Sequence, residues 1–125
     1  MIVAYFILGS TLAFLALATG LMKIVRPKEK LLTMGKPFSW VEDFTPNQIR
    51  VLGAIEVLGA IGVILPMALQ VVPFLGPLAA LGLAALQAGA FVVHARRGEK
   101  PYLNMVIFAL AGATAVLGFF ALASG

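Results

Sequence analysis

Four apolar blocks, each about as long as a bilayer is thick, are joined by short segments that carry nearly all of the charge. Few folds accommodate that pattern. A helix rising 1.5 Å per residue needs roughly 20 apolar residues to cross about 30 Å of hydrocarbon, and backbone polar groups at that depth must be satisfied internally. The blocks predict spanning helices at about 3–25, 47–67, 74–95 and 102–123. The expected fold is an all-α membrane protein: one domain, 1–125, folded as a four-transmembrane-helix antiparallel bundle.

Local signals agree with these boundaries. Pro27 and the cations of "KIVRPKEK" end the first block, and Thr45 can cap a helix whose first turn holds Pro46. Pro77 falls in the first turn of the third block, where a missing N–H is tolerated, and Gly98 and Pro101 act as stop signals after it. The first block lacks a positive leading region and reads as a retained helix rather than a secretion signal. Connections 66–73 and 96–101 are short, so the helices they join are antiparallel neighbours. Only 26–46 is long. Its stretch "MGKPFSWVEDF" mixes Phe38, Trp40 and Phe44 with Lys36, Glu42 and Asp43, which suits a short interfacial segment between helices 1 and 2.

Composition matters here for what it excludes. With 62% hydrophobic and 11% charged residues, the chain lies far from a soluble domain, where about a quarter of residues are charged. It has no cysteine, which rules out disulfides, thiolate metal sites and Cys nucleophiles within the chain. The +4 net charge has no basic helix face with interleaved aromatics behind it, so no nucleic-acid partner is expected. Every Lys and Arg falls on the side of connections 26–46 and 96–101. The positive-inside rule makes that side cytoplasmic, with both termini outside, and the cations suit contact with anionic lipid.

Within the blocks, "LGAIEVLGAIGV" repeats one hexapeptide but places Glu56 where the second copy has Gly62. An ionisable residue in a spanning helix is costly and is expected to face the bundle interior with a partner. Glu56 lies about 9 Å inside Arg50 by helical rise, on a face shared with Gly53, Gly59 and Ala60, and the small-residue stripe common to both copies predicts a closely approaching helix. The third block carries a stripe of Ala80, Ala84, Gln87, Phe91 and His94, with Gln87 near the depth of Glu56 and His94 at the lip. Lys23, with Thr19 one turn deeper, and Asn104 complete a set of polar residues drawn from all four helices at one end. The other half is nearly bare of such groups, with Ser10, Thr11, Gln70 and Thr114 as scattered minor polar residues.

Each of these residues has two readings. Glu56 is either an acid-base group or the structural partner of Lys23; His94 either passes protons or snorkels beside Arg96 and Arg97. Gln87 and Asn104 either hydrogen-bond a ligand or serve as interhelical glue and a helix cap, and Lys23 is either a site residue or an interfacial anchor. Their shared depth favours one site, with Glu56 and His94 as the acid-base pair and Lys23, Thr19, Gln87 and Asn104 as ligand-binding groups. One His and one intramembrane carboxylate make a poor metal site, and no nucleotide motif or Ser-His-Asp arrangement is present. Gly82, Gly89 and Ala85, and Gly112 with Ala109, Ala113 and Ala115, lie apart from this stripe and suit either a homodimer surface or packing within the bundle.

"GLMKIVRP", "VLGAIEVLGAIGVILP", "PLAALGLAALQAGAFVVHARRGE" and "NMVIFALAG" together resemble the DoxX-like family of small four-helix membrane proteins. The resemblance marks Lys23, Glu56, Pro66, His94, Arg97 and Asn104 as motif positions and adds Arg97 to the candidate ligand-binding residues. Family members often carry an Arg near the end of the fourth helix; "AVLGFFALASG" has none. The family takes its name from a subunit of a thiosulfate-quinone oxidoreductase, and other relatives are linked to membrane redox complexes or to partner assembly. The leading expectation is therefore a protein of the bacterial cytoplasmic membrane that binds a lipophilic ligand such as quinone, with no covalent cofactor. It would support redox or proton chemistry with a partner protein. The alternatives are an assembly subunit without chemistry of its own, and an acid-base enzyme that isomerises or opens an epoxide on an isoprenoid-like substrate.

Overall fold

The computed structural model describes residues 1–100 and 102–124, leaving aside the side chains of 36–38, and contains four long helices packed antiparallel. They are α1 (Ile2–Val25), α3 (Pro46–Leu69), α4 (Leu75–Arg96) and α5 (Tyr102–Ser124). A short helix α2 (Lys28–Leu32) and a 3-10 helix (Lys36–Asp43) fill the long connection. The expectations placed on Pro101 and on the side chains of Lys36 and Phe38 lie outside the described residues. All four long helices have mean hydropathy of 1.8 or more over an 18-residue window. Their outward faces are apolar, with Ile7, Phe14, Leu58 and Val116 exposed as they would be to acyl chains. The chain is a multi-pass integral membrane protein.

The helices lie within one residue of their expected limits except at the end of α3. The predicted end of α3 at Met67 gives way to a helix that continues to Leu69, with Pro66 inside it. The turn into α4 is correspondingly tighter, with left-handed backbone at Gln70 (φ 53°) and at the β-branched Val72 (φ 46°), where that conformation is strained. The start of α3 is as expected. Thr45 Oγ1 accepts from Gln48 N at 3.2 Å while Gln48 Oε1 accepts from Thr45 N at 2.9 Å, so the two residues form a reciprocal capping box ahead of Pro46.

Around the bundle the order is α1, α3, α4, α5, each helix touching two neighbours. Small residues set the spacing. A Cβ on Gly20 would lie 2.7 Å from the Gly53 carbonyl oxygen, so α1 and α3 cross backbone to backbone at that point. The expected close approach to the Glu56 face is made by α1. The two hexapeptide copies do not share one stripe, however. Gly53 meets α1, whereas Gly59 meets Leu83 and Gly62 meets Ala79 on α4. Six residues advance a helix by 600°, which turns the second copy about 120° away from the first.

The half without cations is a dry core containing a residue not singled out from the sequence. Tyr5 is fully buried against Gly76, Pro77 and Gly118, and its hydroxyl donates to the Val63 carbonyl at 2.5 Å. Pro66 lacks the N–H that would reach the Gly62 carbonyl, so the phenol donates one residue along from the gap that Pro66 leaves in the helical ladder. At the opposite end Leu31, Val41 and Ile49 form a small second core that fixes the α2 and 3-10 region to the start of α3.

Candidate functional site

The charged end of the bundle encloses a cavity of about 340 Å³. Its polar lining is Thr19 and Lys23 from α1, Glu56 from α3, Gln87 and His94 from α4, and Asn104 from α5. Six of the seven residues expected at a site from the sequence therefore meet around one space. Arg97 does not line it.

Glu56 is 3% exposed and uses both oxygens within the bundle. Lys23 Nζ donates to Oε1 and forms an ion pair, and Thr19 Oγ1 lies within hydrogen-bond reach of Oε2. Thr19 has one hydroxyl proton and two backbone acceptors nearby, Leu15 O at 2.9 Å and Ala16 O at 3.3 Å. A carboxylate is the stronger acceptor. This pairing depends on the Gly20–Gly53 crossing, which brings the end of α1 onto the Glu56 face. Gly20 was not distinguishable in the sequence from any other small residue in an apolar helix.

Asn104 does not cap α5. It stands inside the helix and donates through Nδ2 to Gln87 Oε1 at 2.6 Å. That bond engages one donor and one acceptor of the two amides. The Gln87 amino group and the Asn104 carbonyl make no further hydrogen bond among the described residues, and both side chains line the cavity. Gln87 is 6% exposed, so its amide faces enclosed space rather than bulk water.

His94 is buried rather than snorkelling, and the cause is a local turn. Gly98, at φ 69°, allows a Schellman end in which Glu99 N donates to His94 O at 2.9 Å and Gly98 N to Ala95 O at 3.1 Å. The chain doubles back, and His94 Nδ1 meets Glu99 Oε1 at 2.9 Å. An ionised Glu99 only accepts, so Nδ1 carries the proton and a neutral ring keeps Nε2 as an acceptor.

Glu99 and Arg97 also fasten the 3-10 segment over the cavity. Ser39 Oγ donates to Glu99 Oε2 at 2.5 Å, Arg97 Nε donates to the same oxygen at 3.2 Å, and an Arg97 amino group donates to Asp43 Oδ2 at 2.8 Å. Lys28 Nζ donates to the Phe44 carbonyl at 2.7 Å. The segment thus fixed brings Trp40 and Phe44, packed edge to face, into the cavity wall, with Lys23 Nζ 5.5 Å from the Trp40 ring centroid. Trp40 and Phe44, two of the expected interfacial aromatics, form the roof of the cavity. Glu99 was visible only as the end of the quoted "HARRGE" stretch, and its pairing with Ser39, 60 residues away, had no sequence signal.

Hydrogen bonds from Ser39 first, then from His94 and Arg97, hold the Glu99 carboxyl at about 2, below its ordinary 4.5. The Asp43 and Glu99 carboxylates push the Arg97 guanidinium upward. Because the folded value for Glu99 is depressed, its contribution to the latch is complete above about pH 4.5 and is lost as pH falls through about 2. We expect Trp40 emission to shift over that interval as the roof loosens. Glu99→Gln should show the loosened signal already at neutral pH, and an unchanged spectrum in that variant would refute the latch.

These features define a class: small four-helix integral membrane proteins with an enclosed, polar-ended cavity at the charged end of the bundle. The sequence pattern of the DoxX-like family matches residues 7–123, and the chain belongs to that family. No curated protein and no solved structure matches it. Among the described residues no group of three or more His, Cys, Asp or Glu is placed to hold a metal ion.

Proposed function

We propose that this protein binds a lipophilic molecule with a polar head, such as a quinone, in the cavity roofed by Trp40 and Phe44, and supports redox or proton chemistry with a membrane partner. The observation that carries the reading is the Gln87–Asn104 pair on the cavity wall, which among the described residues leaves an amide donor and a carbonyl acceptor unused beside an otherwise mostly apolar space. A few polar groups with free hydrogen-bonding capacity on the wall of a mostly apolar cavity suit the polar head of a ligand. The residues fit a quinone head: Gln87 can donate to a ring carbonyl, and Asn104 Oδ1 and neutral His94 Nε2 can accept from a ring hydroxyl. A bound quinone supplies two-electron, two-proton chemistry. The chain's own part is to hold the head, exclude water beneath the roof and connect His94 through Glu99 to the charged end. In this reading the charged end faces the cytoplasm of a bacterial cell, as the one-sided distribution of Lys and Arg supports.

Trp40 is the sole tryptophan and lines the cavity, so quinone binding is read directly as quenching of its fluorescence. We expect saturable quenching in detergent, with Gln87→Leu weakening the affinity about tenfold, as for one lost buried hydrogen bond. Quenching no stronger than that of free tryptophan at equal quinone would refute the reading. The second reading, an assembly subunit, is favoured by the use of both Glu56 oxygens within the bundle. It predicts no specific quenching and full partner capture by Gln87→Leu.

A further inference from the structure

The two stripes that pack α3 against α4 change partners partway along. On α3, Leu52 and Gly59 are one heptad apart and share a flank; on α4, Leu83, Leu86, Ala90 and Val93 recur at three and four residues along one face. Gly59 and Leu83 are in contact, as are Gly62 and Ala79 nearer the uncharged end. Toward the charged end, Leu52 on one side and Leu86, Ala90 and Val93 on the other line the cavity. Gly89, on the outer margin of the same α4 face, also lines the cavity, is exposed, and has no atom within 4 Å of where its Cβ would stand. A second hollow, lined by Phe44, Asn47, Gln48, Val51 and Leu52, runs beside the start of α3 and shares Phe44 and Leu52 with the cavity wall.

We propose that the cavity opens sideways to the bilayer between α3 and α4, through a portal framed by Phe44, Leu52, Leu86 and Gly89. The ligand is an amphiphile with a compact polar head and a single apolar chain. The head passes to Gln87, Asn104 and His94 while the chain lies in the portal and reaches the acyl region. The head's identity rests on the reading given above; the portal rests on the arrangement of the two stripes. A chain that stays in hydrocarbon avoids the cost of crossing the charged, latched roof. It also gives Gly89 a reason to lack a side chain in a helix that has room for one.

The test is Gly89→Leu, whose Cβ would stand on the cavity wall with no atom within 4 Å, against Gly82→Leu, one heptad away, equally open at its Cβ position and outside the cavity wall. With the native chain in lipid nanodiscs, Trp40 quenching is measured for an isoprenoid-tailed benzoquinone and for its tail-less parent. A second arm uses phospholipid with brominated acyl chains and no quinone. We expect Gly89→Leu to weaken binding of the tailed quinone about tenfold, equivalent to excluding about two methylenes, and to spare the tail-less parent. It should also reduce quenching by brominated lipid, and Gly82→Leu should do neither. If Gly89→Leu changes neither arm, or if Leu103→Phe at the start of α5 blocks the tailed quinone instead, the portal is overturned. If no quinone binds the unaltered protein but Gly89→Leu still protects Trp40 from brominated lipid, the portal stands and the quinone reading falls.

Discussion

Lys23→Met is expected to destabilise the bundle by about 3–5 kcal/mol, because it leaves the Glu56 carboxylate buried without its cation. Only 4% of the Glu56 side chain and 13% of the Lys23 side chain is accessible, so both charges are largely withdrawn from water where they pair. Glu56→Gln alone is expected to cost a comparable amount by stranding the ammonium beneath Trp40, a smaller amount if the Lys23 stem bends outward. The combined Lys23→Met and Glu56→Gln variant should recover much of the loss, since a matched neutral pair of similar volume avoids burying an unpaired charge. Reversible unfolding in mixed micelles, run as a double-mutant cycle, measures the coupling. A Lys23→Met cost below about 1 kcal/mol would reduce Lys23 to an interfacial anchor and would detach Glu56 from the fold's stability.

Gly53→Ala is expected to be nearly as damaging, although it adds only one methyl group. The new Cβ would lie 2.5 Å from the Gly20 carbonyl oxygen and 2.9 Å from Lys23 Cβ. Backbone cannot give way as a flexible side chain can, so α1 must move off α3. Overpacking of this kind costs about 1–3 kcal/mol. Displacing α1 also carries Thr19 and Lys23 away from Glu56, which adds part of the ion-pair loss, and the total should exceed about 2 kcal/mol. Gly112→Ala is the contrast. Nothing lies within 4 Å of its Cβ position, so that variant should shift stability by less than about 1 kcal/mol, in the stabilising direction through helix propensity. Equal effects at the two glycines would refute the close crossing.

The same crossing explains what was legible in advance. Glu56 announced itself because a carboxylate in an apolar helix needs a reason, and Gln87, His94, Lys23 and Asn104 could be assembled with it from helical depth alone. Gly20 could not, since a glycine has no chemistry to reveal which neighbour it meets. Gly89 and Ala115 belong to small-residue stripes that suit either a second copy or packing within the bundle. Gly89 borders the cavity and Ala115 is buried in the core, which is the intramolecular use. Tyr5 was overlooked because an aromatic near the end of a span reads as an interfacial ring; only the packing of Gly76, Pro77 and Gly118 around it shows a core residue.

By itself the sequence determined residence in the membrane, four antiparallel spans, the one-sided distribution of charge and the depth of the polar residues. These follow from hydrocarbon thickness, helical rise and the cost of unsatisfied polar groups, which act on local segments of chain. The tertiary structure decided partners: Glu56 with Lys23 and Thr19, Gln87 with Asn104, His94 with Glu99, and Arg97 as a fastener of the roof rather than part of the lining. Rotation of one helix against another and the path of a long connection depend on contacts between residues far apart in the chain. No periodicity within one helix encodes them.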